Sequence, residues 1–208
     1  LENNICKKKN MKILIACEYS GIVRDAFAAK GHDAWSCDIL PTESPGNHFQ
    51  GDILEHLDKG WDMMIAHPPC THLAVSGARW FTEGKKPWSL QEDALDFVRK
   101  LLSAPINKIA LENPVSVIST KIRKPNQIIQ PFEYGHNVTK KTCLWLKNLP
   151  NLKPTKIVEP DTVLVNGKRM SRFHYDTFRL PKKIRGKVRS RFYEGIAKAM
   201  ADQWGNDG

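Results

Sequence analysis

Long apolar runs are absent from this sequence, and none approaches the roughly 20 residues that a membrane-spanning helix needs. Paired cysteines are absent too. The five present (Cys6, Cys17, Cys37, Cys70 and Cys143) are odd in number and widely spaced, with no C-x-x-C, so no disulfide framework is indicated. His67, Cys70 and His72 are possible metal donors, but no second Cys/His pair stands at zinc spacing, and no metal is expected. The dinucleotide pattern G-x-G-x-x-G is missing, since only Gly21 occupies the first candidate turn. The opening ten residues contain Lys7-Lys8-Lys9 but no apolar segment. They carry no secretory signal, and residues 1–10 are expected to form an extension outside the fold of a cytoplasmic protein.

Acidic residues are scarce in one place. The chain carries 32 Lys and Arg against 22 Asp and Glu, a formal charge of +10. From Lys168 to Arg191 ten basic residues are opposed by Asp176 alone, so nearly the whole excess lies there. Phe173, Tyr175, Phe178, Phe192 and Tyr193 interleave with these charges. Cations among aromatic rings suit a phosphate backbone with unstacked bases, whereas the plainer alternative is a solvated basic face. Lys168, Arg169, Arg172, Lys182, Lys183, Arg185, Lys187 and Arg189 are the candidate nucleic-acid contacts.

Up to about residue 114, short apolar runs alternate with helical patterns. Lys12–Cys17 reads as a buried parallel strand, Ile22–Lys30 as a helix stopped by Gly31, and Ala34–Cys37 as the next strand. Asp62–Ala66 is expected to be the third strand, followed by an irregular loop over 71–87. Ser89 and Glu92 suggest an N-cap and capping box for a helix reaching Leu102, and Ile106–Leu111 is the fourth strand. Ile128-Ile129 and Thr142–Leu146 read as further strands, Asn166-Gly167 as a turn, and 190–204 as a closing helix. The expectation is an α/β fold: a Rossmann-like, mostly parallel sheet with helices on both faces and a short basic C-terminal appendage. A catalytic core would span 11–150 and a basic, loop-rich segment 151–190. A C-terminal helix in 191–208 would pack on the core.

Chemistry concentrates at expected strand ends, where open α/β sheets bind ligands. His67-Pro68-Pro69-Cys70 follows the run Met63–Ala66, and each proline stiffens the path into the thiol. Leu111-Glu112-Asn113-Pro114 follows Lys108-Ile109-Ala110. Cys70 is either an inert buried thiol or a nucleophile. With Glu112 nearby, the pair suits attack on an electron-poor ring with protonation at a ring nitrogen. Glu18, Asp38 and Asp52 stand at or near other strand ends, each as a cap or as a ligand contact. Without a phosphate-cradling loop, a phosphate-free adenosyl sulfonium fits better than a dinucleotide.

Pro68-Pro69-Cys70 and Glu112-Asn113-Pro114, with 42 residues from Cys70 to Glu112, resemble the catalytic motifs of the S-adenosylmethionine-dependent DNA cytosine-5 methyltransferases. The resemblance extends to Glu18-Tyr19-Ser20-Gly21 as the first cofactor loop and Asp38-Ile39 at the ribose. It also takes in Gly51-Asp52-Ile53 at the adenine, and covers residues 12–114. Tyr134-Gly135 followed by Lys140 is similar to a later segment of that family. The chain as a whole resembles the compact methylase-like proteins of phages and prophages, which implies a bacterial or phage-infected cell.

The resemblance implies that Cys70 attacks cytosine C6 and Glu112 bonds the base edge, supported by Pro69, Asn113 and Lys140. S-adenosylmethionine would be held by Glu18, Tyr19, Ser20, Gly21, Asp38, Ile39, Asp52, Ile53 and Pro68. The implied partner is DNA, duplex or single-stranded, with no membrane and no obligate protein partner. The family's large target-recognition domain has no counterpart in the roughly 60 residues after Thr142. RNA or a free cytosine nucleotide is therefore an alternative substrate, and a silent nucleic-acid-binding protein an alternative class.

Overall fold

The computed structural model describes residues 10–206, with the backbone alone at Lys182 and Lys183. Of the expected extension, residues 1–9, including Cys6, lie outside the described residues.

The elements run β1 (Lys12–Ala16), α1 (Ile22–Ala28), β2 (Asp33–Asp38), β3 (His48–Gln50), β4 (Met63–Ala66), α2 (Arg79–Thr82), α3 (Ser89–Leu102), β5 (Lys108–Pro114) and α4 (Ile118–Lys121). They continue with β6 (Gln127–Ile129), β7 (Thr142–Lys147), β8 (Thr162–Val165), β9 (Lys168–Ser171), α5 (Arg172–Phe178), α6 (Lys182–Ser190) and α7 (Glu194–Trp204).

Seven strands form one sheet in the order β3-β2-β1-β4-β5-β7-β6. β1 to β5 pair in parallel, and β7 runs antiparallel to both its neighbours. The arrangement is a Rossmann-like α/β sheet carrying a reversed strand near one edge. Successive side chains of a strand face opposite sides, and here both sides are dry. Ile13 and Ile15 of β1 and Met63 and Ile65 of β4 pack with Val23 and Phe27 of α1 and with Ile196, Met200 and Trp204 of α7. Leu14, Ala16, Met64 and Ala66 pack on the other face with Leu95, Val98 and Leu101 of α3. Each buried large aliphatic contributes about 1.5–3 kcal/mol, so strands with no polar face belong in the centre of this sheet.

From β1 the chain turns to β2 on one side and later to β4 on the other, which opens a crevice at the C-terminal ends of β1 and β4. Arg24 secures one lip. Its buried guanidinium donates to Thr42 Oγ1 (3.1 Å) and to the Ser44 and Pro45 carbonyls (3.1 and 3.0 Å), tying α1 to the loop after β2.

Several expectations need correction. The third strand is His48–Gln50, an edge strand too short to show an alternating pattern, which makes Met63–Ala66 the fourth. Residues 71–87 include a 3-10 turn at Val75–Gly77 and the short helix α2. Ser89 is the first residue of α3 and not its cap: the cap is Trp88, without a side-chain cap bond, because the backbone turn already begins at Pro87. The strand expected to stop at Leu111 runs to Pro114, since pairing with β7 continues as Glu112 opposite Leu144 and Asn113 opposite Cys143. The stretch 151–190 is less loop-rich than expected. Asn166 and Gly167, both at positive φ (48° and 74°), join β8 to β9 in a tight hairpin, and α5 and α6 follow. The last helix starts at Glu194, after an extended approach through Arg191 and Tyr193. None of the helices described is long and apolar enough to cross a membrane.

Candidate active site

A cleft of about 1250 Å³ lies over the C-terminal ends of β1, β4 and β5. Cys17 to Ser20, His67 to Cys70 and Glu112 to Val115 form its floor, and Lys140 and Lys141 one wall. Phe173 and His174 of α5, the second half of α6 and the segment Arg191–Glu194 close over it as a roof. Lys187 of α6 pairs with Glu43 at 2.7 Å, pinning that roof to the loop after β2.

The two sequence motifs meet on adjacent strands. His67 N–H donates to Ala16 O at 2.9 Å, which continues the sheet one residue beyond β4. Pro68 is buried while Pro69 and Cys70 turn outward to the cleft. The Cys70 carbonyl accepts from Leu73 N (3.1 Å) and Ala74 N (2.9 Å), so the turn closes on itself immediately after the thiol. Buried Asn113 donates from Nδ2 to Pro68 O at 2.9 Å, locking the Glu-Asn-Pro strand to the Pro-Pro-Cys turn. Glu112 Oε2 lies 3.2 Å from His67 Nδ1. Lys140 donates to Arg189 O at 3.0 Å, tethering wall to roof.

Charge and burial oppose one another here. Burial pushes the Cys70 thiol up and Glu112 pushes it further; Lys140 and the backbone bond at Cys70 pull it down without reversing the shift. Burial would also raise the Glu112 carboxyl, but the hydrogen bond and charge of His67, with Lys140 behind them, hold it below the usual carboxylate range. The site therefore pairs a protonated thiol with an ionised carboxylate at neutral pH.

At the β1 end, Glu18 is buried and its carboxylate accepts from Val23 N (2.7 Å) and Arg24 N (3.1 Å) in the first turn of α1. Ser20 donates to the same carboxylate. Gly21 sits at φ 77°, and a Cβ there would come within 2.1 Å of Ser44 Oγ, so the tight turn needs glycine. Cys17 holds φ 59° without that freedom. Burial drives its thiol strongly upward, and Asp38, Cys37 and Asp52 add to the rise, which places both acids around the end of β1. Asp38 accepts from Leu40 N (2.9 Å) and Asp52 from Leu54 N (3.0 Å). Ile39 is 77% exposed, whereas Ile53 is sunk in the core. Neither acid lines the large cleft, and they flank it on the β2 side.

The basic residues divide. Lys168 and Arg169 stand exposed on β9. Arg172 pairs with Asp161, and Arg189 donates to Thr177 Oγ1 (2.8 Å) and His174 O (2.7 Å). Arg185 lies over the Phe178 ring at 5.6 Å. Lys187 and Arg189 reach the cleft; Lys168, Arg169 and Arg172 do not line it. The side chains of Lys182 and Lys183 lie outside the described residues. Sequence reasoning missed a place in the cleft for His67 and Glu43, and read Phe192 only as one of the rings interleaved with the basic tract. Only His67 carried a local signal, its place directly before Pro-Pro-Cys.

No family model matches the chain, and no curated protein matches it by sequence. Among solved structures it is similar to a candidate DNA modification methyltransferase encoded within an E. coli prophage, at 13% identity and a TM-score of 0.44. The alignment covers 72% of this chain and 52% of that one, so the chain spans about half the length of that protein.

Proposed function

We propose that this chain is an S-adenosylmethionine-dependent methyltransferase acting at C5 of cytosine in DNA through a covalent Cys70 adduct. The observation that carries this function is the joining of Cys70 and Glu112 in one cleft, on neighbouring strand ends, by the Asn113–Pro68 hydrogen bond.

The placement of Glu18 supports this cofactor class. In a dinucleotide-binding sheet the first-turn N–H groups of the helix after β1 receive a pyrophosphate. Here an internal carboxylate already takes two of them, so a phosphate would meet a negative charge instead of free donors. A sulfonium cofactor has no phosphate and suits this end of the sheet, where Asp38 and Asp52 flank the cleft on the β2 side. When bound, S-adenosylmethionine supplies an electrophilic methyl group.

The chain's own residues do the remainder. As the Cys70 sulfur bonds to C6 its thiol proton is lost and N3 gains one, relayed by the Glu112 carboxylate, so the displaced π electrons leave C5 electron-rich without a charge stranded at N3. Glu112 faces the N3 and 4-amino edge and stabilises the adduct there. C5 would take the methyl carbon as its bond to the sulfonium sulfur breaks and a neutral thioether leaves. The C5 proton then passes to water, and the electrons of that C–H bond restore the double bond as the bond from Cys70 to C6 breaks and N3 returns its proton through Glu112 to the thiolate. In duplex DNA the base must first leave the stack, at a cost of a few kcal/mol.

The roof over Cys70 favours an unpaired base, either flipped from a duplex or drawn from a single strand. This keeps RNA and cytosine nucleotides as the second reading. Incubation with labelled S-adenosylmethionine and DNA, RNA or cytidine nucleotides tests both. Label in DNA cytosine supports the function; label only in RNA or nucleotide moves the substrate class, and no label anywhere overturns the enzyme.

A further inference from the structure

His67 belongs to neither motif's chemistry as described so far. Its backbone is fixed by the bond to Ala16 O. Its ring lies 4.6 Å from that of Phe192, inclined by 59°, between the floor and the roof segment. The side chains of His67 and Glu112 are both largely buried, at 12% and 14% exposure, and Nδ1 meets Oε2 at 3.2 Å. An ionised carboxylate only accepts, so Nδ1 carries the proton of this contact. The opposite nitrogen, Nε2, is buried with no hydrogen-bond partner among the described residues. The hydrogen-bonded constraint on this ring is therefore the one at Nδ1.

Glu112 needs such a constraint. Its carboxylate shares the cleft with Cys70 and Lys140, and a rotation there would carry it away from a bound base. We propose that His67 is the positioning residue of Glu112, its Nδ1–H holding Oε2 so that Oε1 is the oxygen presented to the N3 and 4-amino edge of the cytosine. This rests on the proposed cytosine chemistry for what Glu112 does, but not for the pairing itself. The downward displacement of the Glu112 carboxyl by His67 agrees with it. The other titratable groups facing Glu112 are Cys70 beyond the β4 turn, Lys140 from the cleft wall and Cys143 from β7.

Two variants separate positioning from packing. His67→Asn keeps a donor at the place of Nδ1, and His67→Phe keeps a ring without a donor. Methyl transfer to DNA by His67→Phe is expected to lose about 10²-fold in kcat with KM nearly unchanged, and its pH profile moves to higher pH. His67→Asn is expected to recover most of that loss. A His67→Phe enzyme with wild-type kcat and pH profile overturns the proposal, as does an Asn variant no better than Phe. Carboxyl-carbon NMR of Glu112 reads the pairing without any turnover. Its titration moves upward in His67→Phe if the pairing holds, and stays in place if it does not. Absence of methyl transfer by the wild-type protein would bring down the proposed function, while the carboxyl titration still decides the role of His67.

Discussion

Cys70 opens to a cleft whose nearest carboxylate disfavours its ionised form, and this sets the expected pH behaviour. Burial and then Glu112 raise the thiol, so the thiolate fraction is low at neutral pH. Single-turnover methyl transfer is therefore expected to quicken as pH rises from about 7 to 9. A flat or falling rate contradicts a Cys70 thiolate nucleophile. Cys70→Ser is expected to abolish turnover and leave S-adenosylmethionine affinity nearly unchanged by calorimetry. Glu112 gives the opposite sign at the acid end. Its folded-state carboxyl is held below its ordinary value, so its contribution to stability is present above the usual carboxylate range and lost as pH falls below it. Urea unfolding of Glu112→Gln is expected to show a shallower loss of stability on acidification than wild type. Cys70 and Glu112 were both visible in the sequence, because prolines and an apolar run mark each position. The pairing of His67 with Glu112 was not, because a contact across 45 residues leaves no local pattern.

At the scale of elements, α7 closes the molecule through a glycine. Gly195 N–H donates to His136 Nε2 at 2.9 Å, and a Cβ on Gly195 would come within 1.9 Å of Tyr134 O. That oxygen belongs to the backbone and cannot swing away, so Gly195→Ala forces the helix start to shift. A loss of about 1–3 kcal/mol is expected, read as a lower thermal midpoint; an unchanged midpoint contradicts this packing. The buried strands and long helices were legible because their apolar spacing is strong. β3 was not, since three residues carry no period. The end of β5 was misplaced because Glu112 and Asn113 look like loop residues until β7 is seen to pair with them. The turn at Asn166-Gly167 was legible, but the four-residue strands beside it are too short to show a period, and the helices of 172–190 were hidden by charge, which masks the apolar face that usually announces a helix.

Across the whole molecule the positive excess sits in the segment that roofs the cleft, and its members are not equivalent. Lys168 and Arg169 are exposed, whereas Arg172 and Arg189 are engaged with Asp161, Thr177 and His174. Replacing Lys168 or Arg169 by Ala is expected to lower the slope of log affinity against log salt by about one per residue, measured by fluorescence anisotropy with a DNA oligonucleotide. Unchanged slopes would remove β9 from the nucleic-acid surface.

The covalent step itself is tested most directly with DNA carrying 5-fluorocytosine, where fluorine replaces the proton that C5 must lose. Intact-mass measurement after incubation with this DNA and S-adenosylmethionine is expected to find one stable protein–DNA adduct, mapped to Cys70 and absent from Cys70→Ser. No adduct, or an adduct at another residue, would contradict Cys70 as the nucleophile toward cytosine.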